Sequence, residues 1–472
     1  MFHQSNKVLS WIIVHYQQLL VVVVIGLALI ARLDKVEYIP FIYDGDEVAH
    51  ILAGESLWEL GTPISWSSFE NVQGRWQSLE LGRNSLNEVQ NLMLIRPWFD
   101  HPFLLPMIIG GWAKLWGYHF PQLPPTLLYR LPMVASSGFT LWLIYKLAKK
   151  LFDYPAAVVA VTLVGFSPMM IFAQRMVIGE NLIALLALLA FYLYLEKKPL
   201  WSIVLVTILA GLVKITGLIM LPVIVISFLS ERKMKQAVVY GLASLVGTGI
   251  LFGAYGYSIG GQGFFTALQH QSFRLVGWSN ISFIFSHPGL HTQPILDFSY
   301  YLLLIAGLAI FTIRSWRTPT RLISWSILVA LLTVWATSAE QDMLGWYRIP
   351  LFCLLGVATG TLVYLKKYRL VCLLLVLSLV NNLGLVRYPT HPLPSANTLR
   401  LMLGGVGLVG LGFIFVTLKA RAYQLILAVL LGLYVVQGLY VANFYFAALC
   451  RDRNCPTPEV TLVGTIKQQL HR

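Results

Sequence analysis

The run Leu19-Leu20-Val21-Val22-Val23-Val24-Ile25-Gly26-Leu27-Ala28-Leu29-Ile30 carries no charge. Thirteen positions further on the chain reads Tyr43-Asp44-Gly45-Asp46-Glu47-Val48-Ala49-His50, with three carboxylates in four positions. The first stretch has the character of a bilayer span, and comparable uncharged runs recur at Ala156 to Phe166 and Leu425 to Val436. Apolar stretches of about 20 residues, the length a hydrocarbon core demands, recur along the chain. Apolar residues make up 57% of the 472 positions and charged residues only 11%, with a mean hydropathy of +0.71. A soluble domain carries roughly 25% charged residues, so a water-soluble fold is excluded. The expected fold class is all-α and polytopic. Only Lys7 precedes the first apolar run and no small-residue cleavage site follows it, so the segment from about Leu9 to Ala31 reads as a retained span.

The net charge of +14 has a topological explanation rather than a nucleic-acid one. Basic residues fall in short clusters between apolar runs: Lys146/Lys149/Lys150, Lys197/Lys198, Arg232/Lys233/Lys235, Arg314/Arg317/Arg321, Lys366/Lys367/Arg369 and Lys419/Arg421. With Lys7 these place 17 positive charges and three acids (Asp153, Glu196, Glu231) on one side, which accounts for the whole net charge. The positive-inside rule makes that side cytoplasmic. Two passes between neighbouring clusters then give about thirteen spans. Leu200 to Leu229 forms two short ones that turn near Lys214 to Gly217.

Three segments fall on the non-cytoplasmic side: a first loop over 33–129, a second over 259–297 and a C-terminal tail over 447–472. The first holds 11 of the 20 acids between Asp34 and Asp100. His101 to Gly117 is short and contains Pro106, Gly110, Gly111 and Lys114, which suits a helix lying in the interface or dipping in without crossing. Cys450 and Cys455 are candidates for a small disulfide loop if the tail meets an oxidising compartment.

Carboxylates as dense as Asp44, Asp46 and Glu47 raise one another's pKa or recruit a cation. They suit a general base with a divalent metal partner, for which Asp44-Gly45-Asp46 is an Asp-x-Asp match. A solvated acidic first turn of a helix explains the same residues. Further charges lie where the spans reach the same face: Arg175 and Glu180, Lys214, and Arg348 after Tyr347. A charge at the centre of a bilayer costs about 2.5–3.5 kcal/mol on insertion scales. At the surface each of these escapes that cost by snorkelling, yet together they outline a phosphate-binding rim.

In their order these residues resemble the GT-C membrane glycosyltransferases, specifically the group of protein O-mannosyltransferases and aminoarabinose transferases. The resemblance rests on Asp46-Glu47 in the first outer loop and on Asp100-His101-Pro102-Phe103-Leu104, where Phe103 stands for a second Pro. It continues with Arg175 followed by Glu180 where Asp is commoner, a shortened Ala-Gly turn from Ala210 to Lys214, and Tyr347-Arg348-Ile349-Pro350. It covers most of residues 1–370.

The resemblance implies a GT-C fold with interfacial helices in the first outer loop. It also implies inverting transfer from a polyprenyl-phosphate-linked sugar to a hydroxyl of a glycan, lipid or protein acceptor. Asp46 would act as base, with Glu47 or Asp44 orienting the acceptor or holding a divalent cation. His101, Arg175, Glu180, Lys214, Tyr347 and Arg348 would contact substrate, with the three cations facing the leaving phosphate. The rival readings are a transporter or lipid flippase, against which the polar groups gather at one face without a repeat pair, and a receptor on the same scaffold.

Overall fold

The computed structural model describes residues 2–37, 45–67, 74–83, 89–272, 289–290, 295–297, 299–312, 320–337, 345–386, 412 and 418–441. Asp44, most of the second loop, Cys450, Cys455 and the C-terminal tail therefore lie outside the described residues. The chain is mainly helical. The first helices are α1 (Phe2–Leu33), α2 (Gly45–Leu60), α3 (Leu104–Leu115), α4 (Thr126–Leu151) and α5 (Tyr154–Gly165). They are followed by α6 (Pro168–Ala173), α7 (Gly179–Leu195), α8 (Leu200–Val213), α9 (Met220–Ser230), α10 (Met234–Gly260) and α11 (Gln262–Ser272). The last group is α12 (Ser299–Leu308), α13 (Arg321–Thr337), α14 (Ile349–Tyr364), α15 (Tyr368–Val386) and α16 (Ala420–Tyr440).

Five of the described helical segments are long and apolar enough to cross a membrane: Tyr16–Leu33, Thr126–Leu151, Met234–Gly260, Trp346–Tyr364 and Ala420–Tyr440. Eight shorter apolar helices accompany them. The expectation of about thirteen spans draws partly on residues outside the described set. On α16, Leu425, Leu433 and Val436 are exposed, and on α10 so are Leu242, Leu245 and Ile250. Charged side chains, by contrast, are buried at Arg32, Glu47, Arg130, Arg175 and Asp297. Apolar stripes outward and charges inward invert the pattern of a soluble protein, and hydrocarbon is the solvent that tolerates it. The chain is an integral membrane protein.

α14 is the central helix, fully buried from Ile349 to Val363 and packed by α5, α12, α13, α7 and α4. Local chemistry sets the helix ends. The Asp153 carboxylate accepts from the Ala156 N–H at 2.9 Å to start α5, and the Ser167 hydroxyl accepts from the Met170 N–H at 3.2 Å to start α6. α8 stops at Lys214, which is extended (φ −160°, ψ 144°). The chain then folds back through a short 3-10 turn, Ile215–Ile219, into α9. Gly217 permits this, because a Cβ there would sit 2.1 Å from the Ala210 carbonyl oxygen. The break falls where the sequence places the turn.

The first loop contains more than helices. Strands β1 (Ser65–Trp66), β2 (Gly74–Arg83) and β3 (Val89–Arg96) form an antiparallel sheet in the order β1-β3-β2, with Ser65 opposite Ile95 and Ser78 opposite Met93. The all-helical expectation misses this sheet, since a short apolar run such as Leu92 to Ile95 does not distinguish strand from helix by periodicity. A two-stranded pair, β4 (Gly289–Leu290) and β5 (Ile295–Leu296), lies in the second loop.

The 12 residues of α3 span about 18 Å at 1.5 Å each, short of the roughly 30 Å hydrocarbon core. The helix lies against α2 in backbone contact: a Cβ on Gly54 would come 2.0 Å from the Pro106 oxygen, and one on Gly110 would come 2.1 Å from the Gly54 carbonyl carbon.

Candidate active site

Asp46 and Glu47 occupy the first turn of α2, where the helix dipole favours carboxylates. Consecutive helical residues point about 100° apart, and these two go to different places. Glu47 is fully buried. The Arg130 guanidinium donates to both its oxygens, from Nε to Oε1 at 3.0 Å and from Nη2 to Oε2. The Val177 N–H also donates to Oε1 at 2.9 Å, and Arg130 Nη1 donates to the Val36 carbonyl at 2.8 Å. A forked, desolvated pair of this kind is rigid. It ties α2 to α4, to the approach to α7 and to the segment after α1.

Asp46 is only partly buried and lies near enough to Lys214 for the two charges to act on each other. Lys214 Nζ donates to Glu180 Oε1 at 2.6 Å and lies 4.7 Å above the centre of the Tyr347 ring. Glu180 belongs to the first turn of α7, Lys214 follows α8, and Tyr347 precedes α14. Four chain segments thus deliver Asp46, Glu180, Lys214 and Tyr347 to one end of the bundle. A crevice of about 20 Å³ continues from Glu180 and Tyr347 along Ile183, Ile219, Val334 and Leu351. Its mouth is polar and its walls are mainly aliphatic, with Thr216 and Thr333 among them.

One turn beyond Asp46, His50 is 2% exposed and its Nδ1 makes no hydrogen bond. Its ring stacks on His101 with centroids 5.1 Å apart and meets Trp98 edge-on at 5.7 Å. The sheet sets Trp98, whose Nε1 donates to the Trp66 carbonyl at 2.9 Å and whose N–H donates to the Pro63 carbonyl at 2.8 Å. Burial first, then the Lys214 charge, push the His50 pKa down to about 3. The imidazole is therefore neutral at physiological pH.

The two arginines of the expected rim are buried. Arg175 Nε donates to the Arg32 carbonyl at 3.0 Å, and its Nη2 donates to the carbonyls of Ala31 and Asp34 at 2.6 and 2.7 Å. The guanidinium thereby satisfies carbonyls at the end of α1 that helix geometry leaves open. The Arg348 guanidinium lies 4.9 Å over the ring of Tyr300. Among the described residues no three His, Cys, Asp or Glu side chains gather as a metal site, and Asp44 is outside them.

The comparisons with known proteins agree on one architecture. Residues 100–252 match the family model described as dolichyl-phosphate-mannose-protein mannosyltransferase. Crystal structures of ArnT from Cupriavidus metallidurans superpose over nearly the whole chain. The form bound to undecaprenyl phosphate gives a TM-score of 0.56 at 16% identity, covering 98% of this chain and 85% of that one. The apo form gives 0.51 at 17% identity, covering 99% and 85%. The chain has the GT-C fold of the O-mannosyltransferase and ArnT group. The apo oligosaccharyltransferase of Archaeoglobus fulgidus has it too, with a TM-score of 0.50 at 10% identity over 98% of this chain and 60% of that one. A search of curated proteins finds no match.

Within this GT-C chain the matched segment contains His101, Arg175, Glu180 and Lys214, whereas Asp46, Glu47, Tyr347 and Arg348 lie outside it. Sequence reasoning passes over His50, Trp98 and Arg130. The signal for His50 is its i, i+4 relation to Asp46. For Arg130 it is a lone charge entering an apolar helix, which calls for a buried partner.

Proposed function

We propose that this GT-C glycosyltransferase moves a sugar from a polyprenyl-phosphate carrier to an acceptor hydroxyl, with inversion, at the non-cytoplasmic face. The observation that carries the reading is the convergence of the partly buried Asp46 carboxylate with the Lys214–Glu180 pair at one end of the bundle. The undecaprenyl phosphate of the ArnT crystal supports a lipid-linked donor. The side assignment follows from the basic clusters, which fall at the other ends of the helices.

In this mechanism Asp46 takes the proton of the acceptor hydroxyl. The acceptor oxygen bonds to the anomeric carbon from the side opposite the phosphate, the bond from that carbon to the phosphate oxygen breaks, and polyprenyl phosphate departs with the electron pair. An ammonium has three N–H donors, and Glu180 takes one of those on Lys214. The others serve the developing phosphate charge, the kind of electrostatic stabilisation that usually contributes most. Tyr347 holds the ammonium from below. Neutral His50, with His101 stacked on it, binds sugar or acceptor hydroxyls. Glu47 braces α2 so that Asp46 keeps its aim, and Arg175 and Arg348 brace the surrounding helices.

The test is transfer from a synthetic short-chain polyprenyl-phosphate sugar by the purified protein in detergent. Asp46→Asn keeps size and hydrogen bonding but cannot take the proton. It should retain donor binding while losing about 10²–10⁴ in rate. A fully active Asp46→Asn enzyme would rule out this base, and a wild-type protein that transports the donor without cleaving it would favour the flippase reading.

A further inference from the structure

A sizeable cavity lies away from the candidate active site. It has a volume of about 370 Å³ and lies between the far ends of α4, α7 and α9 and the start of α13. α7 links the two places: Glu180 is in its first turn and Lys197 just beyond its end. Its 17 residues separate them by about 25 Å.

Five cations line this cavity: Lys150, Lys197, Lys198, Lys233 and Arg321. Against them stand Glu231, on the wall, and Glu196, paired with Lys150 at 2.8 Å. Three helix C-termini meet the N-termini of α8, α10 and α13 here, and their opposite partial charges of about 0.5 each cancel. Five cations against two acids therefore leave the cleft positive. Glu231 is already occupied, bonded to Lys233 at 2.8 Å and accepting from the Tyr194 hydroxyl at 2.7 Å. Lys197 and Lys198 are exposed and make no ion pair among the described residues.

Their placement carries a conformational cost. Lys197 and Arg232 adopt left-handed backbone (φ 52° and 60°) at helix ends where glycine is usual. In both cases the next N–H closes a six-residue Schellman turn, Lys198 to the Leu193 carbonyl and Lys233 to the Phe228 carbonyl. These turns aim successive basic side chains around the cavity mouth.

The lower wall is apolar, formed by Ile203, Phe228 and Leu322. Beside it Trp201 (68% exposed), Leu205 and Leu229 face outward, the surface that meets lipid. A basic rim above an apolar wall at a helix-bundle edge suits a phosphate attached to acyl chains. We propose that this cavity binds the phosphodiester headgroup of an anionic phospholipid, with its acyl chains lying along Trp201 and Leu205. The site is separate from the donor site and does not depend on how Asp46 functions.

The experiment is native mass spectrometry of the full-length protein in neutral detergent, titrated with phosphatidylglycerol and with phosphatidylcholine of the same chains. The wild type should bind phosphatidylglycerol about ten-fold more tightly, as expected for charge-assisted contacts. Lys197→Ala/Lys198→Ala should remove that preference without changing phosphatidylcholine binding. Lys366→Ala/Lys367→Ala, a basic pair at another helix end outside the cavity, should preserve it. Equal binding of the two lipids by the wild type overturns the proposal and requires no variant to fold. So does an equal loss in the Lys366/Lys367 variant, which would mean diffuse charge. Displacement of phosphatidylglycerol by millimolar inorganic phosphate also overturns it, since the cavity would then take a soluble anion.

Discussion

The two ends of α7 handle charge in opposite ways. At the Glu180 end the ionic groups are buried and committed: Arg130 to Glu47 with neither side chain exposed, and Lys214 to Glu180 with 16% and 4% exposed. At the Lys197 end they are wetter. Lys150 and Glu196 are 39% and 32% exposed, and cations outnumber acids. Buried pairs fix geometry at the cost of desolvation, whereas exposed pairs contribute little and stay free to meet a ligand. The first arrangement suits a reaction that requires aimed groups. The second suits loose recognition of a charged surface.

Removing one member of a buried pair should have the largest effect on stability. Arg130→Met leaves Glu47 buried and unpaired, a loss of about 3–5 kcal/mol, readable as a large drop in thermal midpoint in detergent. Adding Glu47→Gln, which still accepts from the Val177 N–H, should recover part of it. If Arg130→Met melts like the wild type, the contrast between the two ends disappears.

Lys214→Ala should be milder for folding and specific for the donor. Losing a charge-assisted contact to phosphate is worth about 1.5–3 kcal/mol, or roughly ten- to a hundred-fold in use of the lipid-linked sugar. Steady-state kinetics with varied donor would show it. Unchanged donor kinetics would leave Lys214 as a partner of Glu180 only.

Two glutamates sharpen the comparison through pH. Glu55 on α2 is 1% exposed and neither carboxylate oxygen has a hydrogen-bond partner. Burial, reinforced by Glu59, pushes its pKa up to about 8 from the ordinary 4.5. Glu231 at the other end shifts down: burial opposes the shift, but its bonds from Lys233 and Tyr194 outweigh that. Between pH 4.5 and 8 the unfolded chain has released the Glu55 proton while the folded protein keeps it. Stability from this group therefore falls as pH rises through that window and levels off above it. Glu55→Gln should flatten that slope, and thermal midpoints at pH 5, 6.5 and 8 would measure it. A wild-type slope retained in the variant would assign the effect elsewhere.

The smallest effect belongs to the wet end. Glu196→Gln breaks the exposed Lys150 pair and should leave the thermal midpoint within about a degree or two of the wild type. A larger loss would mean that this end, too, is built on buried charge.

The sequence reveals the bundle because hydrocarbon leaves a coarse signature, long uncharged runs punctuated by basic clusters. The break at Lys214 to Gly217 is legible for the same reason, since a charge and a glycine interrupt an apolar run. The grouping of Asp46, Glu180, Lys214 and Tyr347 is legible only as an ordered set of short motifs, as their separation along the chain says nothing about distance. The division of labour between Asp46 and Glu47 is invisible, because it depends on which of two adjacent carboxylates meets Arg130, 83 positions away. The sheet of the first loop escapes because short apolar runs such as Leu92 to Ile95 carry no period that separates strand from helix.

The backbone contact between Gly54 and Gly110 constrains how the molecule can open. Two helices touching without side chains between them cannot slide or roll independently, so α2 and α3 behave as a single plate. Asp46 and His50 ride on one half of that plate, and His101 leads into the other. Any displacement of one helix must carry the other, so the carboxylate and the two imidazoles keep a fixed register. Because the Glu47–Arg130 pair fastens that plate to α4, the first outer loop is held to the bundle as one rigid cover rather than as separate flaps.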